Sequence, residues 1–154
     1  ASLALVSGVH AEIRSEAVTY QDGGETLTGN LYWDDSISGK RPGVLVVHEW
    51  WGLNEYARWR AGQLAKMGYV AFAADMYGGN KVTTHPSEAQ EWMTATTSNL
   101  GAWRQRALAG LLEARCTIEV LPELAVPHRS HGRMFARQTR PLIKSFYFVK
   151  EAIV

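Results

Sequence analysis

Gly43-Val44-Leu45-Val46-Val47-His48-Glu49-Trp50-Trp51-Gly52-Leu53-Asn54 changes character twice along its length. The opening aliphatic run is too short for a buried helix, so it predicts a strand covered on both faces. Gly52 then predicts a tight turn, and Asn54 is a residue type that caps the helix to follow. Leu53, Tyr56, Ala57, Ala61, Leu64 and Ala65 recur at i, i+3, i+4 spacing, which predicts one buried helix face, and Gly68 ends that helix.

The pattern continues in both directions. Residues 69–74 predict a second buried strand, closed by Asp75. Upstream, residues 17–21 and 27–33 carry β-branched and aromatic side chains around Asp22-Gly23-Gly24, which predicts a hairpin. Residues 34–42 read as a polar loop. Downstream, Ser87 and Gln90 after Pro86 predict a capping box opening a helix through about Thr97. Asn99 opens another, with Leu100, Trp103, Ala107, Leu108, Leu111 and Leu112 along one side. Strand, helix, strand, helices is the alternation that builds a parallel sheet with helices on both faces. The fold class is therefore α/β.

Bulk properties narrow the classes of function. The 154 residues fit one domain, and 46% hydrophobic with 20% charged is an ordinary globular composition. A net charge of +1 gives no basic footprint for nucleic acid and no patch for a membrane surface. No apolar run reaches the roughly 20 residues of a membrane-spanning helix. One cysteine excludes an internal disulfide framework, and no motif calls for a cofactor or a metal. Residues 1–11 read as the end of a secretory leader with an A-x-A-like site. That predicts a secreted or periplasmic protein, with the cytoplasm left open. After Arg115 the chain turns basic: Arg129, Arg133, Arg137 and Arg140 follow with Pro122, Pro127 and Pro141. No clean periodicity returns before residues 143–149. Residues 117–154 are expected to form a divergent, irregular tail.

The stretch 43–54, its helix through Gly68-Tyr69, and Val70-Ala71-Phe72-Ala73-Ala74-Asp75-Met76-Tyr77-Gly78 together resemble the dienelactone hydrolase family of α/β-hydrolases. The resemblance covers about residues 12–116, with the two motifs in the family's order and separation. It implies the N-terminal part of an α/β-hydrolase fold and a small-molecule ester or lactone substrate. Such enzymes use a thiolate that forms an acyl-enzyme, with histidine-activated water releasing it. Their second oxyanion donor comes from the loop after the third strand. That loop is 48–53 here, so the resemblance implies the Trp50 backbone N–H as donor and Glu49 as the carboxylate that contacts the thiol. Trp51 and Tyr77 are implied in the pocket wall. The family's substrate-binding arginine is replaced by Gly79, with Lys81 as a substitute.

Other residues have plainer readings. Asp75 precedes the nucleophile position, whereas the family's acid follows it, so Asp75 is expected to cap its own turn. His10, His48, His85, His128 and His131 are expected at the surface or in packing.

The nucleophile elbow, Gly-x-Cys-x-Gly or Gly-x-Ser-x-Gly, is absent from the sequence. Cys116 lacks flanking glycines and reads as an ordinary thiol at a helix end. Shifted by one base, codons for His128-Arg129-Ser130-His131-Gly132-Arg133-Met134-Phe135 can encode Ile-Ala-Ala-Met-Gly-Gly-Cys, with the cysteine forced. A one-base frameshift near Val126–Pro127 is the expectation. The chain is then an inactive, truncated hydrolase. The alternative is a non-catalytic binding or self-associating half-domain, since an open edge after the second parallel strand invites association.

Overall fold

The computed structural model describes residues 12–39, 41–120 and 146–149. Residues 1–11, read as a leader remnant, and 128–135, the site of the frame argument, lie outside them.

Strands β1 (Ile13–Asp22) and β2 (Glu25–Asp34) pair antiparallel over their whole length, Asp22 facing Glu25. Gly23 and Gly24 both have positive φ, 57° and 84°. A two-residue turn of the type that matches strand twist needs that at both central positions, hence two glycines. β3 (Gly43–Val47) leads into α1 (Glu55–Lys66), then β4 (Val70–Ala74), α2 (Pro86–Thr97), α3 (Leu100–Val120) and β5 (Phe146–Val149). The sheet order is β1-β2-β4-β3-β5. β3 runs parallel to both β4 and β5, while β2 meets β4 antiparallel. The sheet is thus mixed, with the hairpin attached at one side. The tail, expected to be irregular, adds a strand: residues 146–149 pair their backbone with the edge that β3 would otherwise leave open.

The aliphatic runs of β3 and β4 are explained by two cores. Leu45, Val70, Phe72 and Ala74 pack with Leu27, Leu31 and Ala107 toward α3. Val44, Val46, Ala71 and Ala73 alternate to the other face, against Ala57 and Ala61 of α1. Strands covered on both faces have no polar side to show.

Three local expectations are corrected. Ser87 does not cap α2. The N-cap is His85 with Pro86 in the first turn, because proline has no N–H to lose there and its φ already suits a helix. The buried stripe of α3 runs through Trp103, Ala107, Leu111 and Ala114. Leu108 and Leu112 are exposed at 53% and 52%, each one residue past that stripe, and Leu100 is exposed at 60% at the first position of the helix. Cys116 lies inside α3, which continues to Val120, rather than at its end.

Candidate active site

The site forms where β3 and β4 end side by side. Asp75, fully buried just after β4, accepts the N–H groups of Tyr77 (3.1 Å) and Gly78 (3.0 Å) on Oδ1 and that of Asn80 (2.9 Å) on Oδ2. Its backbone carbonyl accepts the Tyr20 hydroxyl at 2.6 Å. Asp75 therefore knots the loop that presents Tyr77, the turn-capping role expected of it.

His48 joins this loop to the one after β3. Its Nε2 accepts the Met76 N–H at 3.2 Å, so the ring proton sits on Nδ1 and is donated to the Glu49 carbonyl at 2.6 Å. The ring lies edge-on to Tyr77, centroids 4.6 Å apart. Burial pushes the His48 pKa down, against the backbone bond to Glu49 and the nearby Asp75 charge, which act the other way. It is a neutral packing histidine, as expected.

The carbonyls of the turn are committed one after another. Glu49 O also receives the Gly52 N–H, Trp51 O receives that of Thr83, and Gly52 O that of Asn54. Trp50 O receives the Tyr77 hydroxyl at 3.0 Å. In a planar trans peptide the N–H points opposite the carbonyl, so the Trp50 N–H lies on the side away from the His48 ring. Gly52 sits at φ 88°, and a Cβ there would meet the Lys81 carbonyl at 1.9 Å. Only glycine allows this approach.

Glu49, Trp50 and Tyr77 converge on one cavity of about 210 Å³, lined also by Met93 and Trp103. Trp51 is not among the lining residues. It leans on Trp50 instead, ring centroids 5.2 Å apart. Lys81 stands in an adjoining hollow of about 260 Å³, its Nζ 5.9 Å over the Trp92 ring. Tyr77, Thr96 and Trp103 line both spaces, which makes them neighbours across one shared wall.

Sequence reasoning missed the α2 and α3 wall. Trp103 was legible as a helix-stripe residue, but nothing local marks it as facing a cavity. Arg106 was also missed: it joins Asp22 (3.0 Å), Glu25 and the Met76 carbonyl (3.0 Å). Its carboxylate partners are more than eighty positions away in the chain, so no spacing rule could find it. No helix among the described residues is long and apolar enough to cross a membrane.

The family model for the dienelactone hydrolase family matches residues 28–125. YghX of Escherichia coli (strain K12) is 44% identical over 66 residues, 42% of this chain and 56% of that protein. The crystal structure of the dienelactone hydrolase-like promiscuous phosphotriesterase P91, from metagenomic libraries, is 35% identical with a TM-score of 0.64. The similarity covers 75% of this chain and 46% of P91. The structure named m3DLH is 34% identical at TM-score 0.64, over 74% of this chain and 46% of its own. The chain thus spans about half the length of these relatives.

Proposed function

The chain belongs to the dienelactone hydrolase family, and from that premise we propose that its described part is the substrate-facing half of an ester- or lactone-hydrolysing site without its nucleophile. The observation that carries this reading is the convergence of Glu49, Trp50 and Tyr77 on one cavity at the carboxyl edge of β3 and β4, the edge where ligands gather in α/β sheets. Trp50 offers its backbone N–H to a developing oxyanion, a donor worth about 2.7–4 kcal/mol in sites of this kind. By the family resemblance, Glu49 is the carboxylate that would govern the thiol. The Glu49 carbonyl, which accepts from the His48 Nδ1–H and the Gly52 N–H, shares a peptide plane with that N–H and so fixes its direction. With no Gly-x-Cys-x-Gly or Gly-x-Ser-x-Gly in the sequence, the chain binds the carbonyl end of a substrate and does not cleave it.

The test is direct. Purified chain mixed with p-nitrophenyl acetate and with a butenolide is expected to give neither burst nor turnover above buffer. A saturable rate from a preparation free of contaminating esterase would defeat the proposal. The proposed frameshift has a separate check. The family match ends at residue 125, next to the proposed junction at Val126–Pro127. Resequencing the source DNA is expected to restore an in-frame Gly-x-Cys-x-Gly by one base; a sound frame through that region removes the frameshift.

A second reading, a self-associating half-domain, has its own support. Tyr56 and Trp59 on α1 and Met67 at its C-cap are exposed at 45%, 53% and 70%, and the two rings stack on each other in the open, apolar surface that a second copy could cover.

A further inference from the structure

The hollow beyond Tyr77 carries, besides Tyr77 and Lys81, a lining to which the hydrolase reading gives no role. Its floor is aromatic: the half-buried Trp92 indole, set edge-on to Tyr77 at 5.8 Å between centroids. Its walls are polar and formally neutral, with Asp22 and Glu25 balanced by Arg106 and Lys81. Arg106 is not a spare anion clamp. Its Nε goes to Asp22, its Nη1 to the Met76 carbonyl and its Nη2 to Glu25. Lys81 is exposed at the rim, its ammonium 5.9 Å over the indole centroid, a height that leaves a ring laid on Trp92 within reach of it. Thr96 and Asn99 add a hydroxyl and an amide to the same wall.

A charged ligand gains little where the fixed charges cancel. A hydroxylated ring gains at both ends: its C–H face lies on the indole, and its hydroxyls, each donor and acceptor, meet carboxylates, amide and ammonium. The volume of about 260 Å³ lies just under the roughly 300 Å³ at which drug-sized pockets begin, which suits a single ring. We propose that this hollow binds a neutral polyhydroxylated ring, a pyranose or cyclic polyol, against Trp92. Because Tyr77, Thr96 and Trp103 are shared with the first cavity, a ring bound here that carried an acyl group would direct its ester carbonyl toward Trp50. That last placement rests on the hydrolase reading; the binding of the ring does not.

The experiment is a titration of the ¹⁵N-labelled chain, following tryptophan indole N–H signals, with methyl xyloside and methyl glucoside. Benzoate and inorganic phosphate serve as anionic probes. The glycosides are expected to shift the Trp92 signal saturably. Trp92→Ala is expected to weaken binding about tenfold, the loss of one aromatic contact, with an unchanged melting curve, while Trp92→Phe keeps most of it. Glycoside binding is expected to survive Glu49→Gln, so it stands even if the neighbouring cavity proves to have no role in ester chemistry. The absence of a saturable glycoside shift at Trp92, with or without one from benzoate or phosphate, would overturn the proposal. So would glycoside binding that is equally strong in a folded Trp92→Ala chain.

Discussion

His48 is held neutral by what surrounds it. Met76 needs its Nε2 as an acceptor and Glu49 receives its one proton. Asp75 and Tyr77 are the ionisable groups beside it, and burial, the largest influence, lowers its pKa below the ordinary 6.5. The folded state therefore binds its proton less readily than the unfolded chain. The stability this contributes is complete above the unfolded value and falls as pH drops below it, down to the lowered folded value. Urea unfolding from about pH 7.5 to about pH 5 is expected to show stability falling by at most roughly 1.4 kcal/mol per pH unit on account of this residue. His48→Asn should flatten that slope; an unchanged slope would assign the pH dependence elsewhere. Asp75 acts at the same scale. It accepts three loop N–H groups from a fully buried position, so Asp75→Ala leaves buried donors unmet. A loss of roughly 3 kcal/mol or more is expected from charge-assisted bonds of this number, read from the urea midpoint at constant m.

At the scale of the element, α1 shows what a cap and a stripe each contribute. Asn54 Oδ1 accepts the Ala57 N–H at 3.0 Å, and Ala57, Ala61 and Ala65 bury the face behind it. Asn54→Ala is expected to lower stability by about 1 kcal/mol. A change near zero would mean that packing alone holds the helix start. The cap, the alanines of the stripe and the stop at Gly68 were legible, because each depends only on neighbours within about two turns; Tyr56, read onto the same buried face, is instead 45% exposed. α2 and α3 were less so. The Ser87–Gln90 pair matched a capping pattern, yet Pro86 takes the first turn and Thr83 accepts the His85 N–H. In α3 the leucines at 100, 108 and 112 looked like core, while the sheet chose Ala107 and Ala114. Phe72 and Tyr20 crowd Gly110, where a Cβ would come within 2.9 Å of the Phe72 ring, so a small residue has to meet the sheet at that point. Hydrophobicity alone could not show which face had the less room.

For the whole molecule, the relevant fact is a sheet whose two sides are finished differently. The β1–β2 hairpin closes one side, while β5 supplies only a four-residue strand on the other. α1 leaves Tyr56 and Trp59 stacked at 5.9 Å in the open. Light scattering after size-exclusion chromatography is expected to show a mass that rises with concentration, and a Tyr56→Ser, Trp59→Ser pair to reduce it. A constant monomer mass would remove the self-association reading.

The amino-acid sequence by itself determined the α/β class, the hairpin, the two buried strands with the helix between them, the turn at Gly52, and the missing elbow. Each of these is written in residues close together along the chain, where periodicity, turn chemistry and motif spacing act. Only the tertiary structure decided that Glu49, Trp50 and Tyr77 share a cavity while Trp51 and Lys81 do not. It also decided that Arg106 ties α3 to the hairpin turn, and that the tail strand lies beside β3. Those juxtapositions come from segments far apart in the chain meeting at a sheet edge, and register across a sheet leaves no local trace in the residues that obey it.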